Sequence, residues 1–240
     1  MIEFSDVSVT RGGLQVLNGV SLRIDAGEVV ALVGPSGSGK TTMLRLVNRL
    51  IEPERGAVSV DGRPVQQWDR IALRRRTGYA IQEVGLFPHL SVLQNIVVVP
   101  RLLGLDDRQL RSRADELLGL VGLDPEVFRD RWPDQLSGGQ RQRVGLARAL
   151  AAHPPVLLMD EPFGAVDPMT RVELHRQFAV LHAAMPRTVL LVTHDLGEAF
   201  ALADRVAVLE RGSIVACAPP EELKRSTVPL VQALVQTRFQ

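Results

Sequence analysis

Val29-Val30-Ala31-Leu32-Val33, then Gly34-Pro35-Ser36-Gly37-Ser38-Gly39-Lys40-Thr41-Thr42, then Met43-Leu44-Arg45-Leu46-Val47 is the stretch from which the fold is read. The apolar run predicts a buried strand, and the last five residues have helical spacing. Glycines at 34, 37 and 39 let the backbone take positive φ and bring its N–H groups close to a ligand. Those N–H groups, with the open end of the following helix, form a cradle for phosphate oxygens. Gly34, Pro35, Ser36, Gly37, Ser38, Gly39, Lys40, Thr41 and Thr42 are therefore candidate nucleotide-binding residues. Lys40 supplies a cation for the β- and γ-phosphates, and the Thr41 hydroxyl can ligate Mg²⁺. The plain alternative is a flexible Gly/Ser turn. On composition such a match arises by chance about once in a hundred chains, and the strand before and helix after make it rarer.

The chain has 240 residues, 45% apolar and 23% charged, enough for a sizeable core of ordinary globular composition. A net charge of +1 gives no overall field favouring nucleic acid or a membrane surface. The arginine clusters Arg74-Arg75-Arg76 and Arg108/Arg111/Arg113 predict solvated faces. Cys217 is the only cysteine, which excludes an intrachain disulfide and fits a reducing compartment. There is no signal-peptide pattern, and no apolar run approaches the roughly 18 residues of a membrane span. The expectation is that the protein does not itself cross a bilayer.

In chain order, residues 2–10 alternate loosely and predict an edge strand. Residues 17–24 predict a second strand, turned by Asp25-Ala26-Gly27 into the strand that feeds the phosphate loop. Ala57-Val58-Ser59-Val60 followed by Asp61-Gly62 predicts a strand and a tight turn. Gly78-Tyr79-Ala80-Ile81 predicts a core strand ending at Gln82. From about 83 to 150 strand signals vanish and helical periodicity takes over, at 92–103, 110–121 and 138–151. Val156-Leu157-Leu158-Met159 and Val189-Leu190-Leu191-Val192 predict buried strands. Asp167-Pro168 opens a helix with Asp as N-cap. Two final strand-like runs, 206–209 and 213–216, precede a capped helix from Pro219. The pattern predicts an α/β fold with a mostly parallel sheet covered on both faces, an N-terminal antiparallel β ribbon and an inserted α-helical lobe. A single domain over 1–240 is expected, with 1–82 and 151–240 as core and 83–150 as the helical insertion.

Several polar groups stand where apolar strands run out, the place at which open α/β sheets bind ligands. Asp160 can hold Mg²⁺ through water, while Glu161 can accept a proton from an attacking water. Gln82 can contact Mg²⁺ or water, and His194 can donate to a γ-phosphate while orienting the water. Taken singly, Gln82 and His194 read as ordinary strand-end polar residues; their order along the chain gives them weight. In Leu136-Ser137-Gly138-Gly139-Gln140, Ser137 and Gln140 form a capping box. Two glycines behind a cap weaken a helix by about 1 kcal/mol each. They make sense if another molecule's phosphate approaches the backbone there.

Residues 34–41, Gln82, Leu136-Ser137-Gly138-Gly139-Gln140, 156–161, Gly164-Ala165-Val166-Asp167 and His194 together resemble the ATP-binding cassette ATPases. The resemblance covers essentially the whole chain and implies a P-loop NTPase core with ATP and Mg²⁺ as cofactors. It implies a head-to-tail dimer, expected as a homodimer, with two ATP molecules at the interface. Each ATP would lie between the phosphate loop of one subunit and Ser137, Gly138, Gly139 and Gln140 of the other. Asp167 would reach across toward the opposite site, or serve as a plain N-cap; both roles are compatible. The resemblance further implies transmembrane permease subunits and, indirectly, a solute-binding protein as partners, with no nucleic acid. It places the chain at the cytoplasmic face of the membrane as a peripheral subunit. Residues 83–90 would then meet the permease, with Phe87 and His89 as candidate contacts; ordinary lobe core is the alternative for Phe87.

A finer resemblance lies in residues 48–53, 73–82, 85–89 and 99–104, which are similar to ATPases of importers for glycine betaine, choline or carnitine. Import of another small solute, such as amino acids, is the main alternative. A DNA-repair or ribosomal cassette ATPase and a hydrolysis-dead nucleotide-binding module are more remote ones. Two departures stand out. Family members usually stack an aromatic residue on adenine, and the matching position here is Arg11. Its guanidinium can lie flat on a purine, or Arg11 is a solvated loop residue. Some importers of this subgroup also carry C-terminal regulatory domains, and a sequence stopping at Gln240 predicts none in this subunit.

Overall fold

The strands are, in chain order, β1 (Ile2–Arg11), β2 (Leu14–Ile24), β3 (Val29–Val33), β4 (Arg55–Val60), β5 (Arg63–Pro64), β6 (Thr77–Ala80), β7 (Val156–Asp160), β8 (Thr188–Val192), β9 (Arg205–Glu210) and β10 (Ser213–Ala218). The computed structural model describes residues 1–82 and 85–238. It divides into two compact units, Met1–Arg74 with Pro186–Gln240, and Arg75–Met185.

In the first unit β2, β1, β4 and β5 form an antiparallel sheet in that order. Ile2, Phe4, Val7 and Val9 of β1 are all buried, as their spacing predicts. The edge position expected for β1 is not what the structure has. Ile2 pairs with Ile24 of β2 on one side and with Val60 of β4 on the other. Alternation reports which face of a strand is buried; it carries no information on whether both hydrogen-bonding edges are filled. The looseness of the alternation comes from register irregularities between Phe4 and Val9. Asp61 and Gly62 connect β4 to β5 with φ of 51° and 74°, the double positive φ that a tight hairpin turn demands.

The same unit holds β10, β9, β3 and β8 as neighbours in that order. β3 runs parallel to both β8 and β9, and β10 returns antiparallel on β9. Every residue of β3 and β8 is buried, which is why both read as unbroken apolar runs. The β9–β10 turn docks on β2, with the Asn18 N–H donating to the Gly212 carbonyl at 2.8 Å. A Cβ at Gly212 would stand 2.6 Å from the Val16 carbonyl oxygen, so this approach needs glycine. The chain leaves β10 into the helix Pro220–Leu223, whose N-cap is Pro219. The expected capping side chain is absent there, since proline carries no acceptor.

In the second unit β6 and β7 pair in parallel. The helix Gly138–Leu150 lies so close to β6 that a Cβ at Gly78 would strike the Ala149 carbonyl. From 85 to 150 the described residues form helices and no strand. Ser91 with Gln94 and Asp106 with Gln109 are reciprocal capping boxes that start Val92–Ile96 and Asp107–Leu120. The single helix expected over 92–103 is broken at Val97 into Val92–Ile96 and Val98–Leu102. Pro100 explains the break: it has no N–H for the Ile96 carbonyl, and its ring crowds that oxygen.

Of the two arginine clusters, Arg74 and Arg76 are exposed and Arg75 half-buried, as a solvated face predicts, whereas in Arg108/Arg111/Arg113 the third member is not solvated. Arg74 lies in a helix, Arg70–Arg76, and donates to the Asn48 and Arg49 carbonyls past the end of helix Lys40–Val47. Arg113 is only 7% exposed. It donates from Nη2 to the Leu150 carbonyl at 2.9 Å and from Nε to the Ala151 carbonyl at 3.1 Å. A guanidinium thus closes the C-terminal end of helix Gly138–Leu150, where carbonyls lack partners within the helix.

Candidate functional site

The phosphate loop begins where β3 ends. Gly34 has φ of 147°, and a Cβ there would strike the Leu209 carbonyl. Gly39 has φ of 108° and is the N-cap of helix Lys40–Val47; a Cβ there would lie 2.6 Å from Leu17 and 2.8 Å from the Val16 carbonyl. These two glycines seat the loop on β2 and β9. Gly37 differs: its φ of 77° requires glycine, yet nothing stands within 4 Å of a Cβ. No side chain caps the helix, so its first N–H groups are left for a ligand or solvent. Lys40 folds back over the loop, with Nζ donating to the Gly34 and Pro35 carbonyls at 2.8 and 2.9 Å. Pro35 and Ser36 are exposed, Thr41 and Thr42 half-buried. Ser38 Oγ is buried without a hydrogen-bond partner in the protein. The arrangement can hold an anion by backbone N–H groups, a helix N-terminus and a cation.

Two further sequence candidates belong to this unit. His194 is exposed just past β8, ahead of Asp195, which accepts from the Gly197 and Glu198 N–H groups to start helix Leu196–Leu202. Arg11 is exposed at the end of β1, paired with Leu14 across a turn in which Gly12 and Gly13 both have positive φ.

The second unit carries the rest. Gln82 is exposed beyond β6. Asp160 closes β7 and is 3% exposed. Glu161, half-buried, follows with φ of 48°, the left-handed region that a non-glycine residue adopts at a cost of about 1–2 kcal/mol. The chain then turns, with Gly164 N–H donating to the Glu161 carbonyl and Val166 N–H to that of Phe163. Asp167 caps helix Pro168–Ala184 by accepting from the Thr170 N–H at 3.0 Å. That hydrogen bond holds its carboxyl below the ordinary range, with a further contribution from Arg143.

Ser137 and Gln140 form the expected reciprocal box: Ser137 Oγ accepts from the Gln140 N–H, and Gln140 Oε1 from the Ser137 N–H. The two glycines between them divide in role. Gly138 has nothing within 4 Å of a Cβ, so its backbone is open to approach. A Cβ at Gly139 would lie 2.9 Å from the Ala165 carbonyl oxygen, so its bareness is used inside this chain. Sequence reasoning also missed Gln142. Its amide is buried, with Nε2 donating to the Glu161 carbonyl at 2.6 Å and Oε1 accepting from the Ala165 N–H at 2.7 Å. The available signal was a glutamine in register with Gly145, Leu146 and Ala149 on the buried face of its helix.

Of residues 83–90, Glu83 and Val84 lie outside the described residues. Phe87 is 42% exposed and His89 exposed, so neither is lobe core. Asn95, fully buried, fixes this loop: Oδ1 accepts from the Phe87 N–H, and Nδ2 donates to the Phe87, Leu90 and Ser91 carbonyls. No helix among the described residues is long and apolar enough to cross a membrane.

Residues 17–164 match the family model described as ABC transporter. The chain belongs to the ABC transporter family. The match runs from β2 through the phosphate loop to the turn after Glu161. Among relatives of this family chain, the choline transport ATP-binding protein OpuBA of Bacillus subtilis (strain 168) is 48% identical over 94% of the chain and 59% of its own length. The osmoprotectant import ATP-binding protein OsmV of Salmonella typhimurium is 50% identical over 88% of the chain and 55% of its length. The glycine betaine uptake system ATP-binding protein YehX of Escherichia coli (strain K12) is 48% identical over 90% and 70%. The chain thus spans little more than half the length of the first two. Among solved structures, a dimeric ATP-binding cassette in a post-hydrolysis state bound to ADP and Pi is similar, with a TM-score of 0.85 and 34% identity over 92% of this chain and 99% of that one.

Proposed function

We propose that this chain is the ATP-hydrolysing subunit of an importer, and that it turns over as a dimer with two composite sites. The phosphate loop carries the reading: positive-φ glycines, an uncapped helix and Lys40 Nζ all serve one anion-binding turn. ATP phosphates bind residues 34–42 of one subunit and Ser137, Gly138, Gly139 and Gln140 of the other, with Asp167 near the opposite site. Arg11 takes the adenine face. Glu161 accepts a proton from water as the water oxygen attacks the γ-phosphorus and the bond to the ADP oxygen breaks. His194 donates to the γ-phosphate oxygens and orients that water, and Gln82 contacts it.

Thr41, Gln82 and Asp160 offer oxygen donors for Mg²⁺. They fit that ion in kind: a hydroxyl, an amide oxygen and the buried Asp160 carboxylate at a strand end are the hard oxygen donors that Mg²⁺ takes. Such a sparse oxygen set suits an ion that completes its shell with water and phosphate. When bound, Mg²⁺ neutralises charge on the β- and γ-phosphates.

The similarity to choline, glycine betaine and osmoprotectant relatives supports a quaternary-amine solute. The partners are then transmembrane permease subunits, met by the loop around Phe87 and His89, and indirectly a solute-binding protein. That puts the chain at the cytoplasmic face of the membrane as a peripheral subunit. Its α/β core is read as 1–82 with 151–240, and its lobe as 83–150. Glu161→Gln tests the chemistry: it should bind ATP, accumulate closed dimers and lose turnover about 10²- to 10⁴-fold. Wild-type turnover in that variant would falsify the general-base assignment. Reconstitution with co-purified membrane and solute-binding partners tests the solute; stimulation of hydrolysis by an amino acid, with none by glycine betaine or choline, would refute the quaternary-amine reading.

A further inference from the structure

Gln142 spends both ends of one buried amide on a single turn. Nε2 donates to the Glu161 carbonyl, and Oε1 accepts from the Ala165 N–H. The assignment of N and O follows from the partners, since a carbonyl can only accept and a backbone N–H can only donate. Glu161 is the residue of that turn with φ of 48°. One helical turn before Gln142, Gly139 lies against the Ala165 carbonyl with no room for a side chain. The turn 161–165 is therefore bracketed twice by the start of one helix, whose first residues are Ser137 to Gln140.

We infer that Gln142 is a positioning residue for hydrolysis: it holds the Glu161 backbone in its left-handed conformation, sets the direction of that carboxylate, and ties it to the helix start. The inference rests on the general-base reading of Glu161.

Glutamine is the side chain of this length that presents one donor and one acceptor. Gln142→Glu keeps an acceptor for the Ala165 N–H and sets a second oxygen against the Glu161 carbonyl. Gln142→Met keeps the packing and removes both hydrogen bonds. Steady-state hydrolysis of Mg-ATP by the full chain should show kcat reduced about 10- to 100-fold in each variant, the scale of one to two buried hydrogen bonds. KM, and the Kd of a fluorescent ATP analogue measured in EDTA, should stay within about twofold, since the phosphate loop is untouched. Wild-type kcat in both variants, or a fall in kcat matched by equal losses in KM and Kd, overturns the inference. Hydrogen exchange at the Ala165 amide of the wild-type protein keeps it falsifiable if a variant fails to fold: protection is expected, and exchange as fast as an exposed loop amide overturns it. A wild-type protein that does not hydrolyse ATP removes the general-base reading and this inference together; an active wild type with equally active variants removes the inference alone.

Discussion

Arg113→Met should destabilise the protein by about 2–4 kcal/mol, although nothing in the sequence around Arg113 marks it out. Methionine preserves the apolar stem of the side chain and so isolates the guanidinium. Two hydrogen bonds from a charged donor to the Leu150 and Ala151 carbonyls are lost, each contributing about 1.5–3 kcal/mol. The pair with Glu116 adds little, because that carboxylate is 59% exposed. Beside Arg113 runs a cleft of about 570 Å³ lined by Ser112, Glu116, Ala151 and His153. Water entering from it partly satisfies the freed carbonyls, which lowers the expected loss from the summed range of about 3–6 kcal/mol to about 2–4 kcal/mol. For a chain of this size each kcal/mol lowers the melting midpoint by roughly 2–4 °C, so a fall of about 4–16 °C is expected. Urea titration followed by far-UV circular dichroism gives the free energy directly. Arg113→Lys should recover less than half, since one ammonium cannot fork to two carbonyls. Arg108→Met and Arg111→Met are exposed controls. A loss below about 0.5 kcal/mol, the scale of an ordinary surface change, with all three methionine variants alike, would refute the buried-cap argument.

Asn95→Ala removes the side chain that fixes the loop from Phe87 to Ser91, leaving three carbonyls and one N–H to find new partners. Amide exchange at Phe87 should accelerate at least tenfold, on the scale of one lost buried hydrogen bond; unchanged protection there would count against the role given to Asn95. Asp167 gives a pH signature. Its carboxyl is depressed in the folded protein by the Thr170 N–H, so the stability it adds is present above the unfolded value of about 3.9 and is lost as pH falls through the folded value. Asp167→Asn, a comparable N-cap, should match wild type near pH 7 and lose stability less steeply below about pH 4. Parallel acid limbs in urea titrations of the two proteins would contradict it.

The sequence by itself determined what is local. The phosphate loop was legible because its glycines, lysine and flanking apolar run act within a few residues of one another. The capping box at Ser137 and the turn at Asp61-Gly62 were legible for the same reason: cap and partner are three residues apart or fewer. The tertiary structure alone decided what depends on distant neighbours. β1 became an interior strand only when β4 arrived from 50 residues away to fill its second edge. Arg113 became a buried cap only because helix Gly138–Leu150 ends beside it. Gly139 and Gln142 acquired their roles from the Ala165 turn, some 25 residues further on. A side chain's own chemistry states what it can donate or accept; which group it meets across the fold is set by packing, and no periodicity in the chain encodes it.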